Sequence, residues 1–348
     1  MDNIFYSGFL FYQGILCDII TNIQPCKSEA AQNNEGALMR DNTEKTLPER
    51  LDIAKAEAKT EYDSSFKRVN TSEMKHRSVS EFAGLKVEEC SFISNNGQIL
   101  FGYKYSKDTI APEGVIIISH GLGIGGQCVY MDTADYFASN GFLVFAYDAT
   151  GMDKSDGDTA VGMEQGLIDL NYAIEYVEHD NILKKYPIAL FGHSWGAYCV
   201  CAALNFHPEV KAVVSVSGFN CPADYYKELF GRDNPSFLSY FTRYEKETFG
   251  EYTEYSALCG FAKTKAGIMV IHSKDDGNVP ESAGYDLYYK QYKNNGRFIF
   301  KEYNDRGHMF IFYTDKAREY DRKFYISEQS LDLSEFGKTN MFDKKSWV

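Results

Sequence analysis

The sequence has no surplus of positive charge. Lysine and arginine number 36 against 49 aspartates and glutamates, a formal net charge of −13. Proteins grip a nucleic-acid backbone through Lys and Arg that replace its counterions, so this balance argues against nucleic acid as a partner. It also disfavours docking by charge on an anionic bilayer. The apolar N-terminal stretch from Ile4 to Cys17 is shorter than the ~20 residues of a spanning helix. Asp2 is the only charged side chain before Asp18, so the positive flank of a secretory signal is missing as well. The stretch is expected to pack on a surface or a partner, with weak membrane association left open. Eight cysteines occur at irregular spacings without a C-x-x-C pair, which removes the usual zinc and disulfide frameworks. Cys199 and Cys201 stand two apart on an expected helix and point apart, so free thiols in a reducing cytoplasm are expected. No His/Asp/Glu group has metal-ligand spacing, no P-loop is present and no internal repeat is evident. The expectation is a protein without metal or cofactor.

What is present is a globular composition, 44% hydrophobic over 348 residues. Residues 24–46 are polar and aperiodic, as a linker is. Residues 47–69 can form a helix with a thin apolar stripe. Residues 1–80 thus read as an extension, partly disordered or helical, and 81–348 as the folded domain. Two strand-like stretches flank Asn96-Gly97, a hairpin signal. Apolar strands and amphipathic helices then alternate from Val115 to Tyr325, which predicts an α/β fold with a mostly parallel sheet covered on both faces.

Two glycine-rich turns carry the chemistry. The first, "VIIISHGLGIGG", fits G-x-G-x-x-G, and the next strand ends in Asp148, where a dinucleotide fold places its ribose ligand. An NAD(P)-binding oxidoreductase is therefore one reading. The second turn, "ALFGHSWGAY", places Gly192-His193-Ser194-Trp195-Gly196 between an apolar strand and a helix. This is G-x-S-x-G in the context of a nucleophile elbow, with Ser194 raised from the sheet edge at a helix N-terminus. A serine nucleophile needs a base, and α/β-hydrolases supply an acid and then a histidine later in the chain. His308 is the only histidine after residue 272. The acid belongs in "HSKDDGNVP", where Asp275 and Asp276 compete.

Here the sequence resembles the esterase and monoacylglycerol-lipase-like branch of the α/β-hydrolases, similar to the serine aminopeptidase S33 type. In that family the acid is followed by two residues and Val-Pro, which selects Asp276 in Asp276-Gly277-Asn278-Val279-Pro280. Some members take the acid from the preceding strand's loop, which leaves Asp224 as an outside candidate. The family's His-Gly-x-Gly run gives the first turn a second meaning: Leu122 N–H as one oxyanion donor, with Trp195 N–H as the other. "DATGMDKSDG" resembles the family's D-x-x-G-x-G-x-S turn, with Asp153 where the family often has Gly. The resemblance covers about 81–326. His120, His193 and His272 read as structural: strand-end packing, orientation of the elbow and fixing of the acid loop.

Residues 219–263 separate two strands, where the resembled family carries a lid. They hold twelve Phe or Tyr in 45 residues, which either line a pocket or pack the lid on the body. A lining role would favour an apolar or aromatic acyl group. The expected function is cleavage of carboxylic esters through an acyl-enzyme, with a small-molecule ester as substrate and the oligomeric state left open. Thioester and amide cleavage remain open, as does a non-catalytic binding protein on the same fold.

Overall fold

Alternating apolar stretches become one sheet because each strand offers side chains to both faces. The computed structural model describes residues 47–71, 76–108, 111–123, 125–231, 233–309, 311–326 and 342. The strands are β1 (Lys86–Ile93), β2 (Ile99–Ser106), β3 (Gly114–Ser119), β4 (Phe142–Tyr147), β5 (Ile188–His193), β6 (Ala212–Val216), β7 (Gly267–Ser273) and β8 (Phe298–Tyr303). They lie in the order β1-β2-β4-β3-β5-β6-β7-β8. β1 and β2 form the expected hairpin, with Gly97 in the left-handed region at φ 82°. β2 pairs antiparallel with β4, and from β4 to β8 the pairing is parallel.

The helices are α1 (Leu47–Ser65), α2 (Met131–Ser139), α3 (Met163–His179), α4 (Trp195–Ala202), α5 (Pro222–Phe230), α6 (Pro235–Phe249), α7 (Ala257–Lys263), α8 (Tyr285–Tyr292) and α9 (Asp315–Ile326). Every residue of β3 is buried. Its period of two sends Val115 and Ile117 to the core under α3, α4 and α8, and Ile116 and Ile118 to the core under α2 and α9. The fold class is thus the expected one. The final helix starts later than the apolar pattern from Met309 suggested: Thr314 Oγ1 accepts the Ala317 N–H, and that cap sets the start. Among the described residues the six cysteines are free, and no helix is long and apolar enough to cross a membrane. Residues 4–17, the linker 24–46, Cys17 and Cys26 lie outside the described residues.

The extension does not stop at a loose helix. α1 ends at Ser65, and the chain then runs alongside the body, bridging Lys67 to Thr159 and Val69 to Met152. Tyr62 and Phe66 are buried. The Tyr62 ring meets Phe241 at 4.9 Å and Tyr244 at 4.5 Å, both on α6.

Between β6 and β7 stand α5, α6 and α7. Their aromatics pack largely on one another: Phe230 on Phe237 at 5.7 Å, Tyr226 on Phe241 at 5.1 Å, Tyr240 on Tyr244 at 6.0 Å. A buried carboxylate joins these helices to the body. Glu245 Oε1 accepts the Met163 N–H at 3.0 Å and the Tyr226 hydroxyl at 2.7 Å, so α6 satisfies an orphan donor at the start of α3. Replacing Glu245 by Ala leaves both donors without that acceptor. The expected loss is about 1–3 kcal/mol of unfolding free energy, read by denaturant titration.

Candidate active site

The β5–α4 turn is possible only with glycine on both sides of the serine. Ser194 sits at φ 57°, a left-handed conformation costly for a residue with a side chain. A Cβ on Gly192 would run into the Gly196 carbonyl, and one on Gly196 into the Ser119 carbonyl. The tight turn is held by the Ser194 N–H donating to Val216 O at 2.8 Å. Ser194 itself stays partly exposed at the carboxyl edge of the sheet, while its neighbours are buried. Trp195 opens α4, so its N–H has no intrahelical acceptor, and its indole is fixed by a bond to Met163 O at 2.7 Å.

The acid and the histidine meet. His308 Nδ1 lies 3.0 Å and 2.8 Å from the two carboxylate oxygens of Asp276, and both residues are buried. Asp276 Oδ1 also accepts the backbone N–H groups of Asn278 and Val279, each at 2.9 Å. Burial alone would raise this carboxyl. The facing His308 imidazole outweighs it and, with His272 and the Val279 N–H, brings Asp276 down to about 2. His272 lies behind, its Nε2 2.9 Å from Val279 O, and so braces the acid loop.

Asp275 has a different task. Its Oδ1 accepts the Ser273 hydroxyl at 2.6 Å and the Gly307 N–H at 2.8 Å. It therefore anchors the residue preceding His308, where Gly307 takes φ 63°. Arg306 braces the same loop by donating to Ile311 O at 2.8 Å and Tyr313 O at 2.6 Å. Asp224 is engaged with Asn220 at 2.6 Å, on α5.

His193 links the serine turn to the histidine loop. The Tyr130 hydroxyl accepts the Gly121 N–H at 2.9 Å, and its one hydrogen goes to His193 Nδ1 at 2.8 Å. His193 Nε2–H then donates to the His308 carbonyl at 3.0 Å. The Ser217 hydroxyl donates to the same carbonyl at 3.2 Å. Burial, aided by His308 nearby, lowers His193 to about 3 and keeps it neutral. The two imidazole rings are 4.9 Å apart, which brings His308 to the residue next to Ser194. Among the described residues no hydrogen bond joins the Ser194 hydroxyl to His308.

The first glycine turn is not a nucleotide cradle. Asp148 is 1% exposed and is consumed by donors of the chain: Gln127 N–H at 2.9 Å, the Tyr103 hydroxyl at 3.0 Å and Lys154 N–H at 3.4 Å. A Cβ on Gly126 would overlap this carboxylate, so no ribose fits between them. His120 is equally committed. Its Nε2 accepts the Ala149 N–H at 3.0 Å, which leaves Nδ1–H to donate to Gly121 O at 2.8 Å. Leu122, the expected oxyanion donor, is partly buried just beyond. Tyr130 and Arg306 were not singled out by sequence, and Asp275 was weighed only as a rival for the acid. Each acts through a backbone atom brought close by the fold, and no spacing rule announces that.

The model of the family described as serine aminopeptidase, S33, matches residues 110–241. A monoglyceride lipase homolog of Monkeypox virus is 33% identical over 126 residues, 35% of this chain and 43% of that protein. A polyketide transferase of a Penicillium species is 24% identical over 131 residues, 37% of this chain and 44% of that protein. The match thus spans less than half the length of these curated relatives. An esterase of Pyrococcus furiosus superposes with a TM-score of 0.53 at 16% identity, covering 78% of this chain and 97% of that one. In fold the chain is an α/β-hydrolase, and in sequence it is similar to the esterase and monoglyceride-lipase-like branch.

His193 generates a stability prediction. Its depressed value means that the unfolded chain binds a proton below about 6.5 while the folded chain does so only near 3. Stability therefore falls as pH drops through that window, by about 1.4 kcal/mol per unit from this group. His193→Gln should flatten that slope in denaturant titrations between pH 6.5 and 4; the buried His120 and His272 leave a residual slope of the same sign.

Proposed function

We propose that this chain is a serine hydrolase of carboxylic esters, with Ser194 as nucleophile, His308 as base and Asp276 as the supporting acid. The observation that carries the reading is the bidentate His308–Asp276 contact, set beside the left-handed Ser194 elbow through the His193–His308 link. In the first step Ser194 Oγ attacks the acyl carbon and its proton passes to His308 Nε2. Asp276 holds Nδ1–H, fixes the tautomer and stabilises the imidazolium. The N–H groups of Leu122 and Trp195 receive the negative charge that develops on the carbonyl oxygen. The tetrahedral adduct collapses, His308 returns the proton to the leaving alkoxide, and the acyl group stays on Ser194. Water then gives a proton to His308 as its oxygen attacks the acyl-enzyme. Collapse releases the carboxylic acid and returns the proton to Ser194.

The Ser194–His308 hydrogen bond closes when substrate is bound, as is common where the free enzyme holds these groups loosely. The helices of 222–263 serve as the lid over the acyl site, and their mutual aromatic packing gives the lid its own core. The family's name refers to a peptidase and one relative's to a transferase. Cleavage of an amide or transfer to another acceptor would differ from ester hydrolysis in the leaving group or the acceptor, with the proposed Ser194 acyl-enzyme in common.

Two measurements test the proposal. A fluorophosphonate probe should label wild type, not Ser194→Ala, and Ser194→Ala or His308→Gln should lower kcat on p-nitrophenyl esters by at least ~10³-fold. Labelling that persists in Ser194→Ala would place the nucleophile elsewhere. A panel of acyl lengths, with matched thioesters and anilides, identifies the preferred leaving group.

A further inference from the structure

The N-terminal segment is tied at one point to the loop that carries Leu122. The Asp153 carboxylate gathers donors from two separate parts of the chain. Oδ1 accepts the Thr71 N–H at 2.5 Å, and the Thr71 hydroxyl lies 2.7 Å and 2.8 Å from the two oxygens. Oδ2 also accepts the Gly126 N–H at 2.7 Å. The Thr71 side chain packs so closely on Gly125 that a Cβ there would overlap the Thr71 methyl. Asp153 stands at φ 38°, strained for a residue with a side chain, and such strain persists only where the surroundings over-determine it. Those surroundings belong to the same segment. Val69 O accepts the Asp153 N–H at 2.9 Å, and the Arg68 guanidinium donates to Asp153 O at 2.7 Å, Ser155 O at 2.9 Å and Gly157 O at 2.6 Å.

We infer that Thr71 and Asp153 are positioning residues for the oxyanion loop, and that residues 62–71 form a strap joining this loop to the helical insertion. The inference rests on the proposed role of Leu122. The loop from Gly121 to Gly126 is held at its start by Gly121 N–H on the Tyr130 hydroxyl, and at its end by Gly126 N–H on Asp153. Both anchors must stand for the Leu122 amide to keep its direction. Nearer its start the strap is fixed again, by Tyr62 against Phe241 and Tyr244 and by Phe66 O accepting the Ala160 N–H at 2.7 Å. The oxyanion loop and the insertion are thereby referred to one short piece of chain, anchored by its buried residues Tyr62, Phe66 and Thr71. Residues 62–71 lie outside the stretch that matches the family model.

The test uses the full chain. Thr71→Val keeps the shape and the methyl but removes the hydroxyl; Thr71→Ser keeps the hydroxyl; Asp153→Asn weakens the acceptor. In Thr71→Val and Asp153→Asn, amide hydrogen exchange at residues 125–128 should quicken at least ~10-fold while the sheet strands stay protected. kcat on p-nitrophenyl butyrate should fall at least ~10-fold with KM within about twofold, because an oxyanion contact acts in the transition state. Thr71→Ser should restore most of both. Unchanged exchange at 125–128, or quicker exchange spread evenly through the sheet, overturns the strap, as does an unchanged kcat. If wild-type turnover survives Ser194→Ala, the hydrolase reading fails on its own, and the exchange measurement still decides whether the strap holds the loop.

Discussion

A single sharp turn governs the carboxyl edge of this sheet. The serine between β5 and α4 can adopt its left-handed backbone only because the residues two before and two after it lack side chains. Their absence lets β5, α4 and the end of β3 approach to carbonyl contact. Everything else near Ser194 answers to that approach. The end of β3 is drawn close enough for its glycine turn to face α4, and the loop after β8 is held against His193.

The polar groups around the turn divide into neutral and charged sets, and burial decides which is which. His120, His193 and His272 are enclosed without a strong anionic partner of their own and are held neutral. His120 and His193 spend both ring nitrogens on backbone atoms or on the Tyr130 hydroxyl, and His272 spends Nε2 on Val279 O, which makes each a spacer of fixed length. Only His308 faces a carboxylate through both oxygens. The Asp276 carboxyl stays ionised despite its burial because that ring and two backbone N–H groups hold it. The contrast matters for chemistry. A base that must gain and lose a proton needs a counter-charge, whereas a framework histidine works best when it never titrates in the working range.

Much of this was legible in the residues. The strand–turn–helix context of Gly192 to Gly196, and the scarcity of histidines late in the chain, lead to Ser194 and His308. The sheet follows from near-continuous apolar strands, and Asn96-Gly97 marks the hairpin. The choice between Asp275 and Asp276 needed a family pattern. The structure supplies the physical reason: one carboxylate is turned toward the ring, the other toward the Gly307 N–H. What stayed hidden are contacts in which a side chain serves a distant backbone atom. Tyr130, Arg306 and Thr71 carry no periodicity or spacing that reveals such partners. The contacts of the extension were hidden for the same reason. Its thin apolar stripe hides Tyr62 and Phe66, two rings that bury themselves beside α6.

Several bonds that tie the site together are long in sequence. Thr71 reaches Asp153 across 82 residues, and His193 reaches the His308 carbonyl across 115. Closing such loops costs chain entropy before any contact rewards it. No contiguous stretch of the chain contains the constellation, and its last member arrives only after β8 has paired. On the proposed reading, a chain that has not yet delivered the loop after β8 lacks its base, so function depends on the whole sheet rather than on any one segment of it.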